Sequence, residues 1–262
     1  MVHGEELVRH IVALSGGVAS AWVANYVVTE VDKDAILYFN DTKWEDGDLY
    51  RFLNDVASYL GKEISYDTDG RDPEEVFYDQ NFLANNRVPL CSRILKAERL
   101  QKFIAPGDVV YFGIDATEAH RAVRITEIYR KLDVECKYPL IEQQVFKPQM
   151  YQWVQSVGIE IPRMYKLGFA HNNCSGGCVR SGKKQWLHLL KVLPEVYAER
   201  ERVEQEFSLL SGTEQTFMKD ISLKQLREQY EESLTHGQGD MFGELDDSDT
   251  VTECIGICGT MN

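Results

Sequence analysis

At 262 residues and 44% apolar content the chain is long enough to bury a full core, and one α/β domain with a C-terminal addition is expected. The formal charge of −14 argues against wrapping a bare polyanion and leaves only a local basic site for a nucleotide or nucleic acid. No stretch approaches a membrane span in length, and Val2 to Arg9 is too polar for a signal region, so a cytoplasmic protein with no membrane partner is expected.

The first informative stretch is Arg9 to Asn25. Ile11 to Leu14 is a short apolar run, Ser15-Gly16-Gly17 breaks it, and helix-forming residues resume from Ala19 to Val28, which reads as strand, tight loop, helix. Two glycines let the backbone approach a ligand, and the first amides of the following helix have no partners inside the helix, so an anion can take them. Ser15 and Ser20 add hydroxyls to the same place. The loop has neither the ending of a Walker loop nor the three spaced glycines of a dinucleotide loop.

Asp34 to Asn40 reads as a second buried strand, after which Asp41 lies where a ribose hydroxyl or a metal could be met, at the carboxyl end of a parallel strand. Gly47 to Leu60 reads as a helix, Glu63 to Tyr66 as a third strand and Pro73 to Phe82 as a short helix. Another helix opens near Cys91 and runs to Leu100. A cysteine there has its thiolate favoured by the helix dipole and by Arg93 and Lys96, which prepares a ligand or nucleophile; a small buried side chain is the competing reading.

Asp108 to Asp115 is the next strand, with Gly113 at its end. In the helix beyond it, Arg121 and Arg124 are three apart on one face, suited either to a phosphate or sulfonate or to solvated pairing with Glu118 and Glu127. Glu135 to Glu142 reads as a strand holding Cys136 by packing, Lys147 to Val157 as a helix, and Pro162 as the end of the α/β core.

The second informative stretch is His171-Asn172-Asn173-Cys174-Ser175-Gly176-Gly177-Cys178. Glycines between two cysteines let both sulfurs point at one centre, and Cys254 and Cys258 repeat the same spacing near the end. Six cysteines without a secretory signal read as metal ligands, nucleophiles or packing rather than disulfides, and the spacing is neither that of zinc ribbons nor of ferredoxins. Arg180, Lys183, Lys184 and Lys191 form a basic run with no acid between Val179 and Leu193, followed by helices to Leu234. Gly237 to Thr252, with six acids between Asp240 and Glu253, reads as a mobile acidic tether for the last cysteine pair.

Ser-Gly-Gly-x-x-Ser after a buried first strand resembles the PP-loop of the N-type ATP pyrophosphatases, the adenine nucleotide alpha-hydrolase superfamily. The CSRILK and GIDATEAHR segments, following it in this order, resemble the phosphoadenosine phosphosulfate (PAPS) reductase branch, over roughly Val8 to Lys191. Two departures stand out: Cys91-Ser92 replaces a cysteine pair, and Asp115 stands where an arginine is usual. The resemblance implies a Rossmann-like parallel sheet of the PP-loop/HUP type with a helical C-terminal segment. The expected divisions are residues 1–165, 166–236 and 237–262.

By the resemblance, Ser15, Gly16, Gly17 and Ser20 hold the phosphates of ATP or an adenylyl sulfonucleotide with Mg²⁺, and Asp41, Gly113, Arg121 and Lys183 complete the nucleotide site. Arg124, Cys91, Cys254 and Cys258 are the expected catalytic groups. Cys91, Cys174, Cys178 and Cys258 are the expected ligands of a [4Fe–4S] cluster, with Zn²⁺ as the alternative. The implied reaction is adenylation of a small-molecule or nucleic-acid acceptor with pyrophosphate release, then sulfur transfer from an unnamed donor. Two other readings stand: a sulfonucleotide reductase using a C-terminal cysteine, and a nucleotide-binding protein with a structural zinc site. Homodimerisation is left open.

Overall fold

The computed structural model describes residues 8–235. Five strands, β1 (His10–Leu14), β2 (Ile36–Asp41), β3 (Ile64–Thr68), β4 (Val109–Phe112) and β5 (Glu135–Lys137), form one all-parallel sheet in the order β3-β2-β1-β4-β5. The helices, in chain order, are α1 (Val18–Tyr26), α2 (Gly47–Leu60), α3 (Pro73–Asp79), α4 (Leu90–Ser92), α5 (Glu98–Phe103) and α6 (Ala119–Arg130). They continue with α7 (Pro139–Glu142), α8 (Lys147–Ser156), α9 (Arg163–Lys166), α10 (Lys183–Val192), α11 (Pro194–Ser211) and α12 (Leu223–Thr235). This is a Rossmann-like α/β fold followed by a helical C-terminal region.

The chain divides into two compact units that interleave in sequence. Among the described residues, one comprises residues 8–41, Gly47–Thr68 and Ala97–Arg163; the other comprises Thr42–Asp46, Asp69–Lys96 and 164–235.

The first unit is the sheet. Ile11 to Leu14 are buried in succession rather than alternately, as expected of a central parallel strand covered on both faces. In α2, Leu49, Phe52, Leu53 and Val56 recur at helical spacing and are buried, each such side chain adding about 1.5–3 kcal/mol of transfer free energy. The stretch expected as a strand from Glu135 to Glu142 is strand only to Lys137. Pro139 cannot donate to a ladder but fits the first helical turn, and it opens α7.

The second unit has its own core, in which Trp44, Phe77, Trp186, Tyr197 and Phe217 are buried together. Trp186 stacks on Phe217 with ring centroids 5.8 Å apart, and Phe77 meets the same ring edge-on. Glu204, on α11, is buried and accepts the amides of Phe217 at 2.8 Å and Leu223 at 2.6 Å, which fastens the connection between α11 and α12. Burial pushes its carboxyl up to about 7.

Candidate nucleotide site and cysteine loop

In the sheet order, β1 is flanked on one side by β2 and on the other by β4, so the order in which strands are added reverses between β1 and β4. A ligand of an open α/β sheet binds outside the carboxyl ends at such a point. The loop Ser15-Gly16-Gly17 leaves β1 there. Gly16 has φ +79°, a conformation glycine adopts freely, and a Cβ on it would lie 2.5 Å from Leu49 of α2. Gly17 is the N-cap of α1 in extended conformation with no side-chain cap, and no acid occupies the first turn. The helix therefore presents uncapped amides and an uncompensated positive dipole end.

Ser20 ties the loop together. Its Oγ accepts from the Ser15 amide at 3.0 Å and donates to the Gly17 carbonyl at 3.1 Å, while the Ser15 hydroxyl lies 3.1 Å away. Gly113, just beyond β4, lies against this turn: a Cβ there would be 2.7 Å from the Ser20 nitrogen. The structure thus brings Ser15, Gly16, Gly17, Ser20 and Gly113 together, with Gly113 acting through close packing of α1 on β4.

The remaining expected residues of this unit have defined roles. Asp41, at the end of β2, accepts from the Tyr50 hydroxyl at 2.7 Å. Asp115 caps the turn Ala116–Glu118 by accepting from the Thr117 amide at 2.9 Å, which explains an acid at that position in local terms. Arg121 is buried and paired with Glu118 at 2.6 Å, whereas Arg124 is exposed; the two do not form one matched fork. Cys136 is half-buried, and burial pushes its thiol up to about 12, consistent with packing.

The cysteine loop belongs to the second unit. Cys174 and Ser175 have φ of 49° and 51°, left-handed values costing about 1–3 kcal/mol each outside glycine. The segment Thr42–Asp46 holds them there. The Glu45 carboxylate, with no exposed side-chain surface, accepts from the Cys174 amide at 2.7 Å, the Lys96 ammonium at 3.0 Å and the Thr42 hydroxyl at 3.0 Å. The Ser175 hydroxyl donates to the Trp44 carbonyl at 3.1 Å. The two thiols of Cys174 and Cys178 share a hydrogen bond, and this contact, with burial and the Glu45 charge, raises the Cys174 thiol above its usual range.

Lys96, expected to favour a Cys91 thiolate, pairs its ammonium with Glu45 at 3.0 Å. Cys91 sits in α4, half-buried against the apolar core of this unit. Lys183 is the first residue of α10 and half-buried. Cys254 and Cys258, and the segment Gly237 to Thr252, lie outside the described residues. Among the described residues no group of three or more Cys, His, Asp or Glu side chains is placed to hold a metal ion. Among the described residues Cys174 and Cys178 are two facing thiols, fewer than the four donors that a tetrahedral zinc or an iron–sulfur cluster takes.

Glu45, Thr42, Trp44 and Arg200 carry no motif and were missed from the sequence. The available signal was the pairing of acid and base types among segments that read as loop and helix, which is too common to single out.

Among the described residues no helix is long and apolar enough to cross a membrane. No curated protein matches the chain. The family model of the phosphoadenosine phosphosulfate reductase domain matches residues 9–181, spanning the phosphate-type loop, the sheet and the cysteine loop. By that match, over more than half of its length, the chain belongs to the PAPS reductase family of the PP-loop superfamily.

Proposed function

We propose that this chain is a PP-loop enzyme that binds ATP, transfers the adenylyl group to an acceptor with release of pyrophosphate, and exchanges the adenylate for sulfur. The observation that carries the reading is the uncapped turn at Gly17, with Ser15 and Ser20 already hydrogen-bonded to each other and to the loop. Donors held in place before the ligand arrives need no reorganisation when charge develops on the phosphates.

In this reading Ser15, Gly16, Gly17 and Ser20 hold the β- and γ-phosphates. Mg²⁺, when bound, neutralises the phosphate oxygens, and Arg124, on an exposed helix surface, adds a guanidinium. Asp41 receives a ribose hydroxyl, and Arg121 acts as a supporting cation. An acceptor oxygen attacks the α-phosphorus, the bond to the bridging oxygen breaks, and pyrophosphate leaves. The acceptor is a small molecule or a nucleobase. A cluster or zinc ion would require ligands beyond Cys174 and Cys178, and Cys258, read as one of them, lies outside the described residues.

The family match favours one second reading, a sulfonucleotide reductase in which a C-terminal cysteine thiolate attacks the sulfo group and no ATP is cleaved. One experiment separates them. Incubating the full chain with α-labelled ATP, Mg²⁺, hydrosulfide as the sulfur source and pools of nucleosides or small acceptors should yield pyrophosphate and labelled AMP in equal amounts. Release of sulfite from PAPS or its unphosphorylated analogue, with no pyrophosphate from ATP, would establish the reductase reading instead.

A further inference from the structure

A cleft of about 500 Å³ runs between α6 and the segment from Tyr138 to Glu142, within the sheet unit, and no residue of the phosphate loop lines it. Its size suits a small ligand. Ala119, Ala122, Val123 and Ile141 give it an apolar lining, and Val123 is 61% exposed. Tyr138 supplies an aromatic wall that is already fixed. Its ring stacks on Phe112, with centroids 6.0 Å apart and 22° between the planes, and its hydroxyl donates to the Ala122 carbonyl at 2.9 Å. A wall held in advance costs a ligand little ordering entropy, and apolar surface beside an aromatic ring favours a planar ring system.

The charged groups of the cleft are Glu127, Arg130 and Glu142. Glu142 already accepts the Tyr138 amide at 3.1 Å. Glu127 and Arg130, three apart on α6 and both exposed, make no hydrogen bond or ion pair among the described residues, not even with each other. A carboxylate only accepts, and its two oxygens match two adjacent N–H donors; a guanidinium only donates, and takes a phosphate. One ligand answering both therefore joins a paired donor edge to an anion, with a flat ring between them. Of the common nucleobases only guanine has two adjacent donors, its ring N–H and its exocyclic amino group. The formal charge of −14 disfavours a polyanion and leaves the free mononucleotide. α6 follows β4, so the cleft starts on the carboxyl side of the sheet, where ligands of such sheets bind.

We propose that the cleft between α6 and Tyr138 binds a free guanine mononucleotide, its base against Tyr138 and Val123, its donor edge on Glu127 and its phosphate on Arg130. Glu127 then sets the choice of base and Arg130 the choice of nucleotide over nucleoside. The ring carbonyl of guanine is left without a partner in the cleft and is an oxygen of the kind the adenylation step takes. Calling this ligand the acceptor rests on the adenylation reading above; its binding does not.

The test is titration calorimetry of the full chain with guanosine monophosphate (GMP), inosine monophosphate (IMP), which lacks the amino group, and guanosine, which lacks the phosphate. GMP should bind, and IMP and guanosine should each bind roughly tenfold more weakly, the effect of about one charge-assisted hydrogen bond. Glu127→Gln should bring GMP and IMP to within about twofold of each other, and Arg130→Met should do the same for GMP and guanosine. Ala119→Phe, at an exposed position of the lining, fills the cleft and should weaken GMP at least about tenfold while melting as the parent does. Should that variant melt early, the two affinity ratios carry the comparison. No binding of GMP, equal affinity for the three ligands, or unchanged ratios in the variants would each overturn the proposal. So would GMP binding lost in Gly17→Val but kept in Ala119→Phe, or a short guanine-containing single strand binding more tightly than GMP. GMP binding without pyrophosphate release from ATP would sink only the adenylation reading, and pyrophosphate release without GMP binding only this one.

Discussion

Gly113 stands directly against Ser20: a Cβ at Gly113 would lie 2.7 Å from the Ser20 nitrogen and 2.9 Å from its Cα. Both contacts are to backbone, so neither can rotate away. Gly113→Ala must push the start of α1 off β4, and overpacking of this kind costs about 1–3 kcal/mol. Urea denaturation should show that loss, and calorimetry a weaker affinity for ATP. Unchanged stability would mean that α1 can move without cost, and that the loop is not held by β4.

Glu45 and Lys96 form a buried pair within the second unit. Lys96→Met removes one partner and leaves a buried carboxylate, a change that costs about 3–5 kcal/mol where no other charge compensates. Since the same carboxylate holds the Cys174 amide, alkylation of Cys174 should also accelerate in this variant under conditions where the fold persists. Equal stability together with an unchanged alkylation rate would show that the pair does not position the loop.

Glu204 gives the stability a defined pH slope. Its folded-state pKa is raised from 4.5 to about 7 by burial, so the folded chain holds this proton more tightly than the unfolded chain. The stabilisation is fully present below the unfolded value and is lost as pH rises through about 7. Glu204→Gln should flatten the fall in denaturation free energy across that window. An identical slope in the variant would assign the pH dependence to other groups.

The sheet was legible because β1, β2 and β4 are short apolar runs closed by Gly, Asp or Asn, and Ser-Gly-Gly-x-x-Ser is a local pattern. The strand expected through Glu142 failed at Pro139, whose missing donor ends the ladder. What sequence could not reveal is nonlocal. Glu45 meets Lys96 across 51 positions and the Cys174 amide across 129, and nothing in the intervening residues encodes those distances. Arg121 and Arg124 share a helix face, about 60° apart, yet one is buried against Glu118 and the other exposed, because the edge of the buried surface falls between them. Arg200 gave no signal at all, as its partner is the bare backbone at Gly177 and the face of Trp44.

The phosphate-holding role of the loop is tested most directly at Gly17, whose φ of −97° and ψ of 165° suit any residue. Gly17→Val therefore places a branched side chain over the uncapped amides without straining the backbone. By calorimetry with Mg²⁺, the parent should bind ATP and the variant should lose at least about tenfold in affinity, the equivalent of one to two hydrogen bonds, while melting at a similar temperature. ATP bound equally tightly by both proteins would contradict the assignment of its phosphates to this loop.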